Sequence, residues 1–198
     1  MAAIQLPPLP HQIGIFDHFV ARKTETLVLR EKALSLSGDS FDIHLLGGGP
    51  PLLTVKGNAL SLSGRKAVYD ASGKHLFDIK REHLHLHTTF AVVDPQDNRL
   101  MEVKSSMSLI GSKATATFTT PRTGRAESLQ MKGNWLDSRA EIVDTATGAV
   151  VAIIDRQMLS GRDIFLGKQT YALICAPGVD MALMAAMCIC LDEKRNDA

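Results

Sequence analysis

The sequence predicts a mainly β fold, a closed antiparallel barrel around a buried C-terminal hydrophobic α-helix, and three observations carry that prediction. Apolar residues between Thr24 and Ala176 mostly recur at every second position, the period of a strand with one buried face. Turn formers interrupt them roughly every ten residues, as hairpins require. Last comes an uninterrupted apolar run, Met181–Leu191, which has no polar face to offer water.

Composition bounds the rest. The 198 residues are 45% hydrophobic and 22% charged, with a formal net charge of +1, the profile of one ordinary globular domain. A disordered chain would carry fewer apolar residues and more net charge, and a phosphate-binding nucleic-acid protein would show a basic excess. Both classes are disfavoured, so no nucleic-acid partner is expected.

Taken in chain order, the start, Met1–Pro10, holds Pro7, Pro8 and Pro10 where a signal peptide needs an unbroken apolar core, so a secreted chain is not expected. Residues 1–14 read as an N-terminal extension and 15–198 as a single barrel domain. Strand pairs follow at Leu27 and Leu29, Leu34 and Leu36, Leu60 and Leu62, Leu84 and Leu86, and at Ala114, Ala116 and Phe118. Between them fall the turns Gly47–Pro51, Ser72-Gly73, Asp97-Asn98, Arg122-Thr123-Gly124 and Thr147-Gly148. No helical pattern alternates with the strands, which excludes crossover units and a parallel sheet. Asp70, Asp94 and Asp144 form an internal echo. Each follows an apolar pair and precedes a turn former, Gly73, Asn98 or Gly148. An aspartate bonds the backbone two residues on, and Gly or Asn accepts positive φ.

Pro177-Gly178 ends the final strand and Asp180 is placed to cap a helix. The apolar run beyond it is about 11 residues, or ~16 Å, half of the ~30 Å needed to cross a bilayer. The enclosure must therefore be protein, supplied by a closed barrel of roughly ten or more strands or, alternatively, by an open sheet with the helix as an ordinary core element. Ala182, Ala185 and Ala186 let the wall approach while Met181, Met184 and Met187 fill uneven gaps. Cys175, Cys188 and Cys190 crowd into this last stretch, an odd count that reads as reduced, buried and intracellular.

These residues resemble a known family. Tyr69–Leu76, Leu109–Phe118, Leu166-Gly-Lys and Tyr171–Asp180 are similar to the LURP-one-related proteins, which group with tubby C-terminal domains and phospholipid scramblases. In order and spacing the likeness runs from about Ile15 to the end. It implies a tubby C-terminal-like barrel of about twelve strands around the helix, with no catalytic motif to carry over. Tubby domains bind phosphoinositide head groups through basic barrel residues. Scramblases carry an acidic calcium segment before the last helix, whereas Gln169–Val179 contains no acid, which argues against calcium-driven lipid transport.

The chemistry candidates are few. His83, His85 and His87 share one strand face about 7 Å apart and form a metal-site candidate, set against the commoner solvated face. Gly47-Gly48-Gly49 precedes two prolines rather than a helix, so it offers no phosphate cradle. Lys80, Arg81, Lys104 and Lys113 are the head-group candidates, on strands that could hold a multiply charged phosphate. The resulting expectation is a non-enzymatic, cytoplasmic monomer with no cofactor, peripheral to a membrane or nuclear but neither secreted nor transmembrane. It binds phosphoinositides or other phosphorylated head groups at a membrane surface; the alternative is a structural or protein-partner module with no small ligand.

Overall fold

The computed structural model describes residues 4–32, 40–57, 64–82, 89–107, 112–134, 139–159 and 170–196. Twelve strands are formed: β1 (Glu25–Lys32), β2 (Ser40–Leu45), β3 (Leu53–Gly57), β4 (Lys66–Asp70), β5 (His75–Glu82), β6 (Thr89–Val93), β7 (Arg99–Met107), β8 (Ser112–Thr120), β9 (Arg125–Asn134), β10 (Arg139–Asp144), β11 (Val150–Asp155) and β12 (Thr170–Cys175). They are followed by α1 (Met181–Asn196). Each strand pairs with its sequence neighbours, and β1 pairs antiparallel with β12, closing the barrel. The predicted fold class is therefore the observed one. Leu34, Leu36, Leu60, Leu62, Leu84, Leu86 and the three alternating histidines lie outside the described residues.

Closure explains the helix. An eight-stranded barrel can be filled by its own side chains, but more strands widen the lumen, and a helix about 10 Å across fits the extra room. From Met181 to Leu191 no residue exceeds 8% exposure. The inward rows that meet it are apolar at alternate positions, as at Leu27 and Leu29 and at Ala114, Ala116 and Phe118. A single charge in this run, such as Ala186→Asp, would bury a carboxylate without a partner.

The aspartate turns form as the echo predicts. Asp70 Oδ1 accepts from the Ser72 and Lys74 N–H groups at 2.8 and 2.9 Å, Asp94 Oδ1 from Gln96 and Asn98 at 2.9 and 2.8 Å, and Asp144 Oδ1 from Ala146 at 3.0 Å. One detail differs. The left-handed residue of the second copy is Asp97, at φ 72°, because Asn98 instead turns its side chain back to Asp94 Oδ2 at 2.8 Å. A register shift precedes each aspartate, at Val68/Tyr69, Val92/Val93 and Ile142/Val143, so the echo is a repeated bulge-and-turn unit.

All these turns stand at one end of the barrel, where residues 6–24 also cross it as a strap. Leu9 and Ile13 donate N–H bonds to the Pro177 and Gly178 carbonyls at 3.0 and 2.9 Å, and Phe16 stacks on Phe77 with centroids 5.5 Å apart. That end is closed by main chain.

Candidate functional site

Of the four basic candidates, the three whose side chains are described, Lys80, Arg81 and Lys104, do not share one patch. Lys80 and Lys104 lie on the outward rows of β5 and β7, separated by β6, and each is already neutralised. Lys80 Nζ pairs with Asp97, and Lys104 Nζ sits 2.7 Å from Glu102 Oε1. Arg99 bridges Glu82 and Glu102 at 2.5 and 2.8 Å, so acids interleave with bases along this wall. The Lys80 ammonium, acting on Asp97, holds that carboxyl below its usual range. Arg81 follows Phe77 and Ile79 in strand parity and stands opposite buried Phe90, placing it on the other face from Lys80. Lys113 pairs through its backbone with Ser106; its side chain lies outside the described part of the structure.

Two buried carboxylates mark the closed end instead. Asp180 is the N-cap of α1: its Oδ1 accepts from Ala182 and Leu183 N–H at 2.9 and 3.3 Å, the positions a capping side chain reaches. Its Oδ2 accepts from Ile15 and Phe16 in the strap at 3.0 and 2.7 Å. One side chain thus starts the helix and pins the strap across it. Burial raises the Asp180 pKa to about 6, with the four N–H bonds opposing the rise. Gly14 permits the approach, since a Cβ there would lie 2.2 Å from Asp180 Cβ.

Glu127 is the second carboxylate. In the row Glu127, Leu129, Met131 the last two face the core, and parity turns Glu127 the same way, 1% exposed at the side chain. Its Oε1 lies 3.4 Å from His11 Nε2, 3.4 Å from Arg125 Nε and 3.5 Å from the Thr120 hydroxyl. Its Oε2 is buried with no hydrogen-bond partner, as is His11 Nε2. Above it opens a cleft of about 580 Å³ lined by His11, Gln12, Thr120, Arg122, Thr123 and Arg125. Residues 121–124 shape its rim: Pro121 sets a turn-compatible φ, Gly124 takes φ 66°, and the Thr123 and Gly124 N–H groups close onto the Thr120 carbonyl at 3.3 and 2.9 Å.

In the sequence Arg122 stands out only as part of a turn, and no motif there singles out Arg125, His11 or Glu127 as site residues. For Glu127 a signal was present, because an acid at an inward position of an otherwise apolar alternation is a break in the pattern. Among the described residues no three His, Cys, Asp or Glu side chains are placed to hold a metal ion. The three cysteines are free and buried, and burial pushes the Cys175 and Cys188 thiols up, away from the thiolate a nucleophile needs. Among the described residues no helix is long and apolar enough to cross a membrane.

A family model described as LURP-one-related matches residues 25–192. The chain belongs to the LURP-one-related family. Protein LURP-one-related 15 from Arabidopsis thaliana is 23% identical over 176 residues, 86% of this chain and 80% of that relative. Protein LURP1 of the same plant is 22% identical over 173 residues, 84% of this chain and 82% of its own length. An X-ray structure of an Arabidopsis thaliana protein superposes with a TM-score of 0.64, covering 93% of this chain and 99% of that one at 18% identity. That likeness concerns the fold, a twelve-stranded closed barrel with its terminal helix.

Proposed function

We propose that this LURP-one-related chain is a non-enzymatic binding module that meets its ligand on the outside of the barrel, and that the ligand is an anionic head group such as a phosphoinositide. One observation supports the first half: α1 occupies the lumen, with every residue from Met181 to Leu191 buried, where ligand-carrying barrels hold their ligand instead. The second half is supported by Lys80 and Lys104, which lie on the outer face of β5 and β7, on either side of β6. Their acidic partners are solvent-facing, and such pairs give up little on exchange for phosphate.

The test is vesicle co-sedimentation at low and physiological salt. Binding to phosphoinositide vesicles should fall as salt rises, because ions screen each lysine's attraction to an anionic surface. The Lys80→Glu, Lys104→Glu double reversal should abolish it without changing the melting temperature. If the unaltered protein ignores such vesicles at low salt, the head-group reading fails and the partner-binding alternative takes its place.

A further inference from the structure

We infer that the cleft at the strapped end of the barrel is a binding site for a compact oxyanion, a phosphate or a carboxylate, gripped by Arg122 and Arg125. The inference is independent of the outer faces of β5 and β7 that carry Lys80 and Lys104, on which none of its residues stands.

The cleft is the right size: at about 580 Å³ it falls within the roughly 300–1,000 Å³ typical of small-ligand sites. Its cationic groups are uncommitted. Arg122 has neither a hydrogen bond nor an ion pair among the described residues, and Arg125 engages Glu127 through Nε at 3.4 Å while neither Nη atom donates a hydrogen bond there. A guanidinium held by Nε with its Nη edge free presents the planar fork that matches two oxygens of one anion. The Thr123 hydroxyl oxygen accepts the Arg125 N–H at 3.3 Å, leaving its own hydrogen to donate into the same space.

Three carboxylates stand near the cleft. Asp17 accepts the Gln12 amide N–H at 2.5 Å, and Asp144 is fully buried and takes the Ala146 N–H and the Thr147 hydroxyl at 3.0 and 2.6 Å. Glu127 contacts His11, Arg125 and Thr120 of the lining and Asp17 contacts Gln12, so the two guanidinium groups stand beside two carboxylates that already have partners. Glu127 fixes Arg125 from below as a positioning residue. The second, separate observation is that Glu127 Oε2 and His11 Nε2 are both buried without a hydrogen bond, the imidazole nitrogen lying 3.4 Å from Glu127 Oε1; of the two, it is the imidazole that can donate to an anion. Unsatisfied polar atoms destabilise a fold, and a barrel that otherwise satisfies its turns so fully keeps these two beside its cleft, where breaks in local consistency tend to mark function.

The experiment titrates the full chain with inorganic phosphate, and separately with acetate and with a soluble inositol phosphate, at constant ionic strength and with backbone amide NMR as the readout. Saturable shifts are expected at Thr120, Thr123 and Arg125. The Arg122→Ala, Arg125→Ala double variant should weaken affinity at least tenfold and Arg122→Ala alone should weaken it with the melting temperature retained, while Lys132→Glu, on the exposed face of β9 away from the cleft, should bind as the unaltered protein does. Vesicles with and without phosphoinositide separate the sources. If vesicles bind in an Arg122- and Arg125-dependent manner and free phosphate competes, the oxyanion is carried by a lipid; if only the soluble anions bind, it is a free ligand. Absence of saturation by all three anions, or a loss in Lys132→Glu equal to that of the arginine variants, would overturn the site.

Discussion

Asp180 and Glu127 are buried acids at the same end of one barrel, yet Asp180 commits both oxygens to four backbone N–H groups, whereas Glu127 leaves Oε2 without a partner. The first joins helix, strap and sheet. The second sits under a cleft whose rim is side chain and open to solvent. Since a buried carboxylate is tolerated in proportion to the bonds it receives, the contrast separates a group kept for the fold from one kept for something the fold does not need.

The largest effect should come from removing the satisfied acid. Asp180→Ala strands four N–H groups and uncaps α1, at a cost of about 4 kcal/mol. For a domain of this size that lowers the melting temperature by about 10 °C, measurable by calorimetry.

Next is the pH dependence that Asp180 brings. Its pKa is about 6 folded against 3.8 ordinarily, so the folded state binds the extra proton between those values. Stability from this group is full below pH 4 and is lost as pH rises to 6, by about 3 kcal/mol. Asp70, Asp94 and Asp144 work oppositely. Bonds from the Ser72 hydroxyl and the Asn98 amide hold the first two low, and Thr147 with nearby N–H groups outweighs burial at the third, so their contribution is lost only as pH falls below the ordinary range. Denaturant midpoints at pH 4, 5, 6 and 7 should show the Asp180 contribution in the unaltered protein and not in Asp180→Asn.

Gly14→Ala should cost about 2 kcal/mol by overpacking against Asp180, read as a lowered denaturant midpoint with no change in phosphate titration. Smallest of all, Arg122→Ala should shift stability by no more than about 0.5 kcal/mol, as exposed substitutions do, whereas Arg125→Ala also takes the cation from buried Glu127 and should cost more. A large loss at Arg122 would turn the cleft into a structural feature and erase the contrast.

How much of this the sequence disclosed follows from what periodicity can encode. The barrel was legible because inward rows such as Leu27 and Leu29 repeat at period two and because Met181–Leu191 could only be enclosed by protein. Asp180 was legible as a cap, since an acid between Pro177-Gly178 and an apolar run is a local signal; its second role was not, because Ile15 and Phe16 are 165 and 164 residues away in sequence. The same distance hid the partnership of His11 with Glu127. Lys80 and Arg81 look like one basic pair in the sequence, yet adjacent strand residues point to opposite faces, and the acids that neutralise Lys80 and Lys104 arrive from a turn and from two positions along the strand.

The most direct test uses the two isosteric amides, Asp180→Asn and Glu127→Gln, melted side by side at pH 7. An asparagine at 180 can offer its oxygen to only two of the four N–H groups and turns an NH₂ toward the others, so a loss of at least about 2 kcal/mol is expected, or roughly 4–8 °C. Glu127→Gln should stay within about 1 kcal/mol of the unaltered protein, because the oxygen it replaces had no partner to lose. Equal losses, or a larger one at Glu127, would contradict the division of one barrel end into a structural acid and a site-forming one.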